Sequence, residues 1–154
     1  MSKSEKIYSL AAARAMALYA QNLTEPVQKG AGKISPELIY QTVLDLGSIQ
    51  IDTLHVVERS QYLVLWSRLG SYDKTDFDKL LYDPEKRQLF EGWQHAACFI
   101  PLEDFRYQMP RMQSMQQKHI EQSEWLAEPE NQELIKSVYA RIKDEGPLRA
   151  RDFG

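Results

Sequence analysis

Two short runs, RQLFEGW (87–93) and HAACFIP (95–101), lean towards β structure on either side of Gln94-His95, in a chain otherwise patterned mostly for helix. A hairpin of this kind limits what the chain can become. Helices followed by a two-stranded hairpin form the element order of a winged helix-turn-helix, the simplest architecture for this pattern. The predicted class is therefore mainly α with a small β-hairpin, a winged helix-turn-helix followed by extra helices.

The helical segments have readable boundaries. Ile7 to Leu23 is rich in alanine, leucine and methionine and predicts a helix. A loop, QKGAGKIS, leads to Ser35, placed as an N-cap with Pro36 at the first helical position. That helix runs to Leu46, with Ile39, Val43 and Leu46 as its buried stripe and Gly47 to end it. Gln50-Ile51-Asp52 alternates polar, apolar, polar, as on a short strand, and Thr53 is placed to cap the next segment. Ser60 to Arg68 reads as a buried helix. Thr75-Asp76-Phe77-Asp78 resembles a capping box opening a helix to Tyr82, stopped by Asp83-Pro84.

Beyond the hairpin, Pro110 is expected to start a long helix towards Ala127, broken by Pro129. A further helix is expected from Gln132 to Glu145, with Leu134, Ile135, Val138 and Ile142 at helical spacing and Gly146-Pro147 as its stop. Two domains result: a winged helix-turn-helix over 1–109, then a helical linker and the truncated start of a second winged helix over 110–154. The ending GPLRARDFG reads as the turn and first cap of that second unit, so the chain looks cut short.

Charge and cysteine content exclude some functions. A net charge of −3 argues against a surface coated in basic patches, although the stretch from Phe105 to His119 holds Arg106, Arg111 and Lys118 with no acid. The single cysteine, Cys98, leaves no internal disulfide, and its spacing to His55, His95 and His119 fits no zinc pattern. No apolar run approaches the roughly 20 residues of a membrane span, and MSKSEKIYSL lacks the apolar run of a secretory signal. A cytoplasmic monomer without metal or organic cofactor is expected.

Three stretches, GSIQIDTLHVVERSQYLVLWSRLGSY, LFEGWQHAACFIP and EGPLRARDF, together resemble the winged-helix DNA glycosylases of the AlkZ/YcaQ type. These are bacterial proteins that excise alkylated bases and unhook interstrand cross-links. The resemblance covers nearly the whole chain and implies tandem winged helices in a longer protein. It also implies a signature of glutamine, an apolar residue, then glutamine or aspartate, which Gln50-Ile51-Asp52 matches in its aspartate form.

The chemistry of that signature stems from the lesion. Cleaving an N-glycosidic bond takes the sugar through an oxocarbenium-like transition state, for which ordinary glycosidases use two carboxylates. A guanine alkylated at N7 already carries positive charge and leaves without prior protonation, so one carboxylate and a held water suffice. Asp52 is then expected to stabilise the sugar cation and accept the water's proton, while Gln50 positions that water. Strand alternation places both on one face with Ile51 anchored on the other. On the residues alone, Asp52 is more readily a helix cap and Gln50 merely exposed; the resemblance favours the chemical reading.

The expected partner is double-stranded DNA carrying alkylated bases. Arg59, Arg68, His95, Arg106 and Arg111 are the expected DNA contacts; the alternative is ion pairing for Arg59 and Arg68, a plain turn for His95 and a solvated helix face for Arg106 and Arg111. Trp66 and Trp93 are expected in the core. Two rival functions stay open: a non-catalytic winged-helix module binding DNA or a protein, and an inert fragment whose Leu134–Ile142 face needs a second domain for burial.

Overall fold

The computed structural model describes residues 7–24 and 33–153. The predicted loop from Gln28 falls, up to residue 32, outside the described residues. The chain divides into two compact units, Met1–Arg106 and Tyr107–Gly154.

In the first unit, α1 (Leu10–Ala20) is capped by Ser9, whose hydroxyl accepts the N–H of Ala12. α2 (Pro36–Leu46) carries Ser35 as its cap, Pro36 in its first turn, and Gly47 at φ 76 as its terminator. That positive φ is the left-handed conformation that glycine enters without a Cβ penalty. α3 (Ser60–Leu69) and α4 (Lys74–Tyr82) follow, and a hairpin of β2 (Leu89–Trp93) and β3 (Ala97–Pro101) comes next. The hairpin acquires a third strand: β1 (Ile49–Gln50) pairs antiparallel with β3, giving the order β1-β3-β2. The fold is mainly α with a small antiparallel sheet.

One apolar cluster holds this unit together. Ile39 and Val43 of α2, Ile49 of β1, Leu65 of α3, Phe77, Leu80 and Leu81 of α4, Leu89 and Phe99 are all buried in it. Phe77 is its centre, with edge-on contacts to Tyr62 at 5.9 Å and to Phe99 at 5.6 Å. The opposite face of the sheet carries a smaller cluster of Phe90, Cys98 and Ile100, and Phe105 stands edge-on to Phe90 at 5.3 Å.

In the second unit, α6 (Glu124–Ala127) is capped by Ser123, and α7 (Pro129–Glu145) begins immediately after it. The Asn131 and Gln132 amides donate to the carbonyls of Trp125 and Leu126, tying the two helices. Arg141 pairs with Glu145 at 2.8 Å and lies over the Phe153 ring. Leu134, Ile135 and Ile142 are exposed.

Several boundaries differ from the sequence reading, each for a physical reason. α5 (Phe105–Gln122) starts earlier than Pro110, which lies inside it. The helix grows from the 3₁₀ turn Leu102–Asp104, and an exposed helix can leave the carbonyl facing a proline to water. Pro129 is the first residue of α7 rather than a gap before it, as its preset φ permits. The cap of α4 is Asp73, whose carboxylate accepts from the N–H and hydroxyl of Thr75 at 2.9 and 2.7 Å, displacing the predicted box by two residues. Thr53 caps no helix: α3 begins at Ser60 after an irregular loop, with Arg59 in the cap position. Trp66 and Trp93 are 58% and 64% exposed, not core residues.

Candidate functional site

The motif Gln50-Ile51-Asp52 runs off the end of β1. Cross-strand register sets its faces, because directly opposed residues of an antiparallel pair share a face. Ile49 stands opposite Phe99, and both enter the main core. Gln50 stands opposite Cys98, which in turn stands opposite Gly92, so the three form one row on the other face of the sheet. Gly92 contributes no side chain to this row, and Gln50 is exposed beside it. The Ile51 N–H donates to the Ala97 carbonyl at 2.8 Å, which prolongs the ladder by one residue, and Ile51 packs against the main core.

Asp52 lies just past that last rung and is half-buried. Its Oδ1 accepts the N–H of Leu54 at 2.9 Å, forming a local turn, and its own N–H donates to Oε1 of Gln61 at 3.4 Å. Asp52 forms no ion pair among the described residues. It caps no helix. Gln61 is a residue that sequence reasoning missed: a glutamine in the first turn of α3, only 3% exposed. A polar residue in a run read as buried was the available signal.

The loop from Thr53 to Arg59 holds Leu54, Val56 and Val57 in solvent, at 73%, 95% and 83% exposure. Its end is fixed by Glu58, whose carboxylate receives the Lys74 ammonium and the N–H of Arg59, with His55 at 3.6 Å. The hydrogen bond from Lys74 is the largest influence holding the Glu58 carboxyl below the usual carboxylate range. Next to this loop a crevice of about 430 Å³ is lined mainly by Val57, Glu58, Tyr62, Leu63, Trp66 and Tyr72. Burial, then the hydrogen bond to Asp78 at 2.8 Å, push the Tyr62 phenol up to about 12. Burial also raises the Tyr72 phenol, whose hydroxyl donates to the Tyr62 carbonyl.

The predicted contact residues are dispersed. Arg59 is exposed at the start of α3 and forms no side-chain hydrogen bond or ion pair among the described residues. Arg68, at the other end of α3, donates to the carbonyls of Gln21 and Val64, each at 2.9 Å, and burial pushes its guanidinium pKa down. His95 is exposed at the hairpin turn. Its neighbour Gln94 accepts from the Ser48 hydroxyl at 3.0 Å, so the turn is fastened to the residue preceding β1. Arg106 and Arg111 are exposed on α5, the first closing unit one and the second within unit two. Among the described residues no cluster of histidine, cysteine and carboxylate side chains could hold a metal ion, and no helix is long and apolar enough to cross a membrane.

No solved structure matches this chain. A family model described as DNA glycosylase AlkZ-like matches residues 43–154, which include the motif strand, the loop after it, the hairpin and all of the second unit. A match over that much of the sequence places the chain in the AlkZ-like DNA glycosylase family.

Proposed function

We propose that this chain is a winged-helix, monofunctional DNA glycosylase that hydrolyses the N-glycosidic bond of cationic N-alkylpurines in duplex DNA, N7-alkylguanine and its cross-links among them. Asp52 is the base and electrostatic stabiliser, and Gln50 positions the attacking water. The observation that carries the reading is the state of Asp52: half-buried, outside any helix cap and without an ion-pair partner among the described residues. A carboxylate serving only as a structural cap would sit at the cap position of α3, which Arg59 holds instead.

The role of Asp52 rests on elementary chemistry. As the bond to a cationic base breaks, positive charge passes to the sugar ring, where a fixed anion stabilises it most strongly at low local dielectric. The incoming water loses a proton to the same carboxylate. Gln50, itself exposed at the end of the edge strand β1, has both an acceptor and a donor with which to hold that water. Phosphate contacts are assigned to Arg59, His95, Arg106 and Arg111, with the hairpin as the wing. Arg68 is assigned instead to packing, because its donors are already engaged by Gln21 and Val64.

The test is release of N7-methylguanine from duplex DNA by the chain and by its Asp52→Asn variant. Release by the parent and none by the variant supports the reading; equal release by both overturns it. The exposure of Leu134, Ile135 and Ile142 favours a second reading, a helical face that needs a further surface before the chain turns over. Activity appearing only in a longer chain would select that second reading.

A further inference from the structure

We infer that Gln61 is a positioning residue for Asp52, an assignment that rests on the proposed function above. Three observations carry it. Gln61 is a polar side chain at 3% exposure in the first turn of α3, where its amide oxygen must find a partner within the protein. The partner it meets is the backbone N–H of Asp52, accepted by Oε1 at 3.4 Å. That bond spans from a helix to the residue just beyond the last rung of the β1–β3 ladder, where the strand no longer holds the chain.

Asp52 is thereby fixed at two points. Gln61 holds its backbone, and the Leu54 N–H holds its Oδ1. Each of these constraints is weak alone, but together they determine where Oδ2 points. The orientation of the Gln61 amide is itself determined, since a backbone N–H requires the oxygen and not the NH₂ group opposite it. Among the described residues no buried side-chain nitrogen or oxygen lacks a partner. The Gln61 Nε2, which makes no hydrogen bond among the described residues, is therefore the atom through which this residue reaches the surface.

A helix-borne group that orients a loop-borne carboxylate acts on the rate of the chemical step and not on DNA affinity, because it touches no phosphate. The experiment compares Gln61→Met, which keeps the volume and removes the acceptor, with the parent chain. Its readouts are single-turnover release of N7-methylguanine, Kd for the same duplex, and amide hydrogen exchange of the parent chain. The expected results are a release rate lowered about tenfold or more with Kd within about twofold, the pattern of lost positioning. In the parent, the Asp52 N–H is expected to exchange at least about tenfold more slowly than that of Thr53. An unchanged release rate in Gln61→Met overturns the inference, as does a parallel loss of rate and affinity. Unslowed exchange at Asp52 overturns it even if Gln61→Met does not fold. Asp52→Asn is assayed alongside: if it retains turnover, the glycosylase reading fails, while the exchange measurement still judges the clamp.

Discussion

The Oδ1 atom of Asp52 accepts the N–H of Leu54 at 2.9 Å, so one carboxylate oxygen orders the loop while the other makes no hydrogen bond among the described residues. A side chain divided in this way can be tested by exchanging one oxygen for nitrogen. Asn in its place still orders the turn through its remaining carbonyl oxygen, but carries no charge. Asp52→Asn is expected to slow base release by about 10²–10⁴-fold with little change in melting temperature or DNA Kd. Gln50→Ala, which removes the side chain proposed to hold the water, is expected to have the smaller effect of about tenfold.

The loop that carries Leu54, Val56 and Val57 is closed by Glu58, and this closure depends on pH. Because the Lys74 hydrogen bond lowers the folded-state carboxyl below its unfolded value of 4.5, the contribution of Glu58 is complete above that value. It is lost as pH falls through the folded pKa. Glu58→Gln is expected to lower the thermal midpoint near neutrality, and its difference from the parent is expected to shrink towards about pH 3. Melting curves of both proteins across that range measure it; a difference that grows in acid would contradict the assignment.

Arg59 and Arg68 bracket the same helix and are expected to behave oppositely. Arg59→Ala should weaken DNA binding across sequences and reduce the salt slope by about one, the mark of a single lost phosphate contact. Arg68→Ala should lower the melting temperature, since it leaves the Gln21 carbonyl without its guanidinium donor, and should leave the salt slope unchanged. Fluorescence titrations at several salt concentrations, paired with thermal melts, separate the two.

Phe77 has no exposed surface and contacts two aromatic rings, one from α3 and one from β3. Phe77→Ala is expected to destabilise the first unit by about 3–5 kcal/mol through loss of buried area and the cavity left behind. Urea denaturation monitored by tryptophan fluorescence reads this, with an unchanged midpoint as the contrary result.

Much of the fold could be read from residues whose effect is local. Ser35, Pro36 and Gly47 bound α2 because a cap, a preset φ and a positive φ act within a turn of chain. The hairpin around Gln94-His95 was legible for the same reason. The features that escaped the sequence depended on distant partners or on solvent. Nothing local says that Ile49 and Gln50 join the hairpin as a third strand, since their partner strand is far along the chain. Trp66 and Trp93 have the composition of core residues, yet Trp66 sits on an exposed side of α3 and Trp93 at the hairpin end of β2, past the residues that reach the core. Pro110 has the signature of a first helical position, but the helix starts at Phe105, directly out of the turn Leu102–Asp104. Of the candidate site, Gln50 and Asp52 were found through a resemblance and Gln61 was not, because its significance lies in a bond to another segment.

The central strand of the sheet is the last of the three to leave the ribosome. During synthesis Gln50 therefore waits, unpaired and beside an apolar loop, until Cys98 and its neighbours emerge and pair with it. A nascent chain stalled before Ala97 would therefore carry the two signature residues but no strand to hold them.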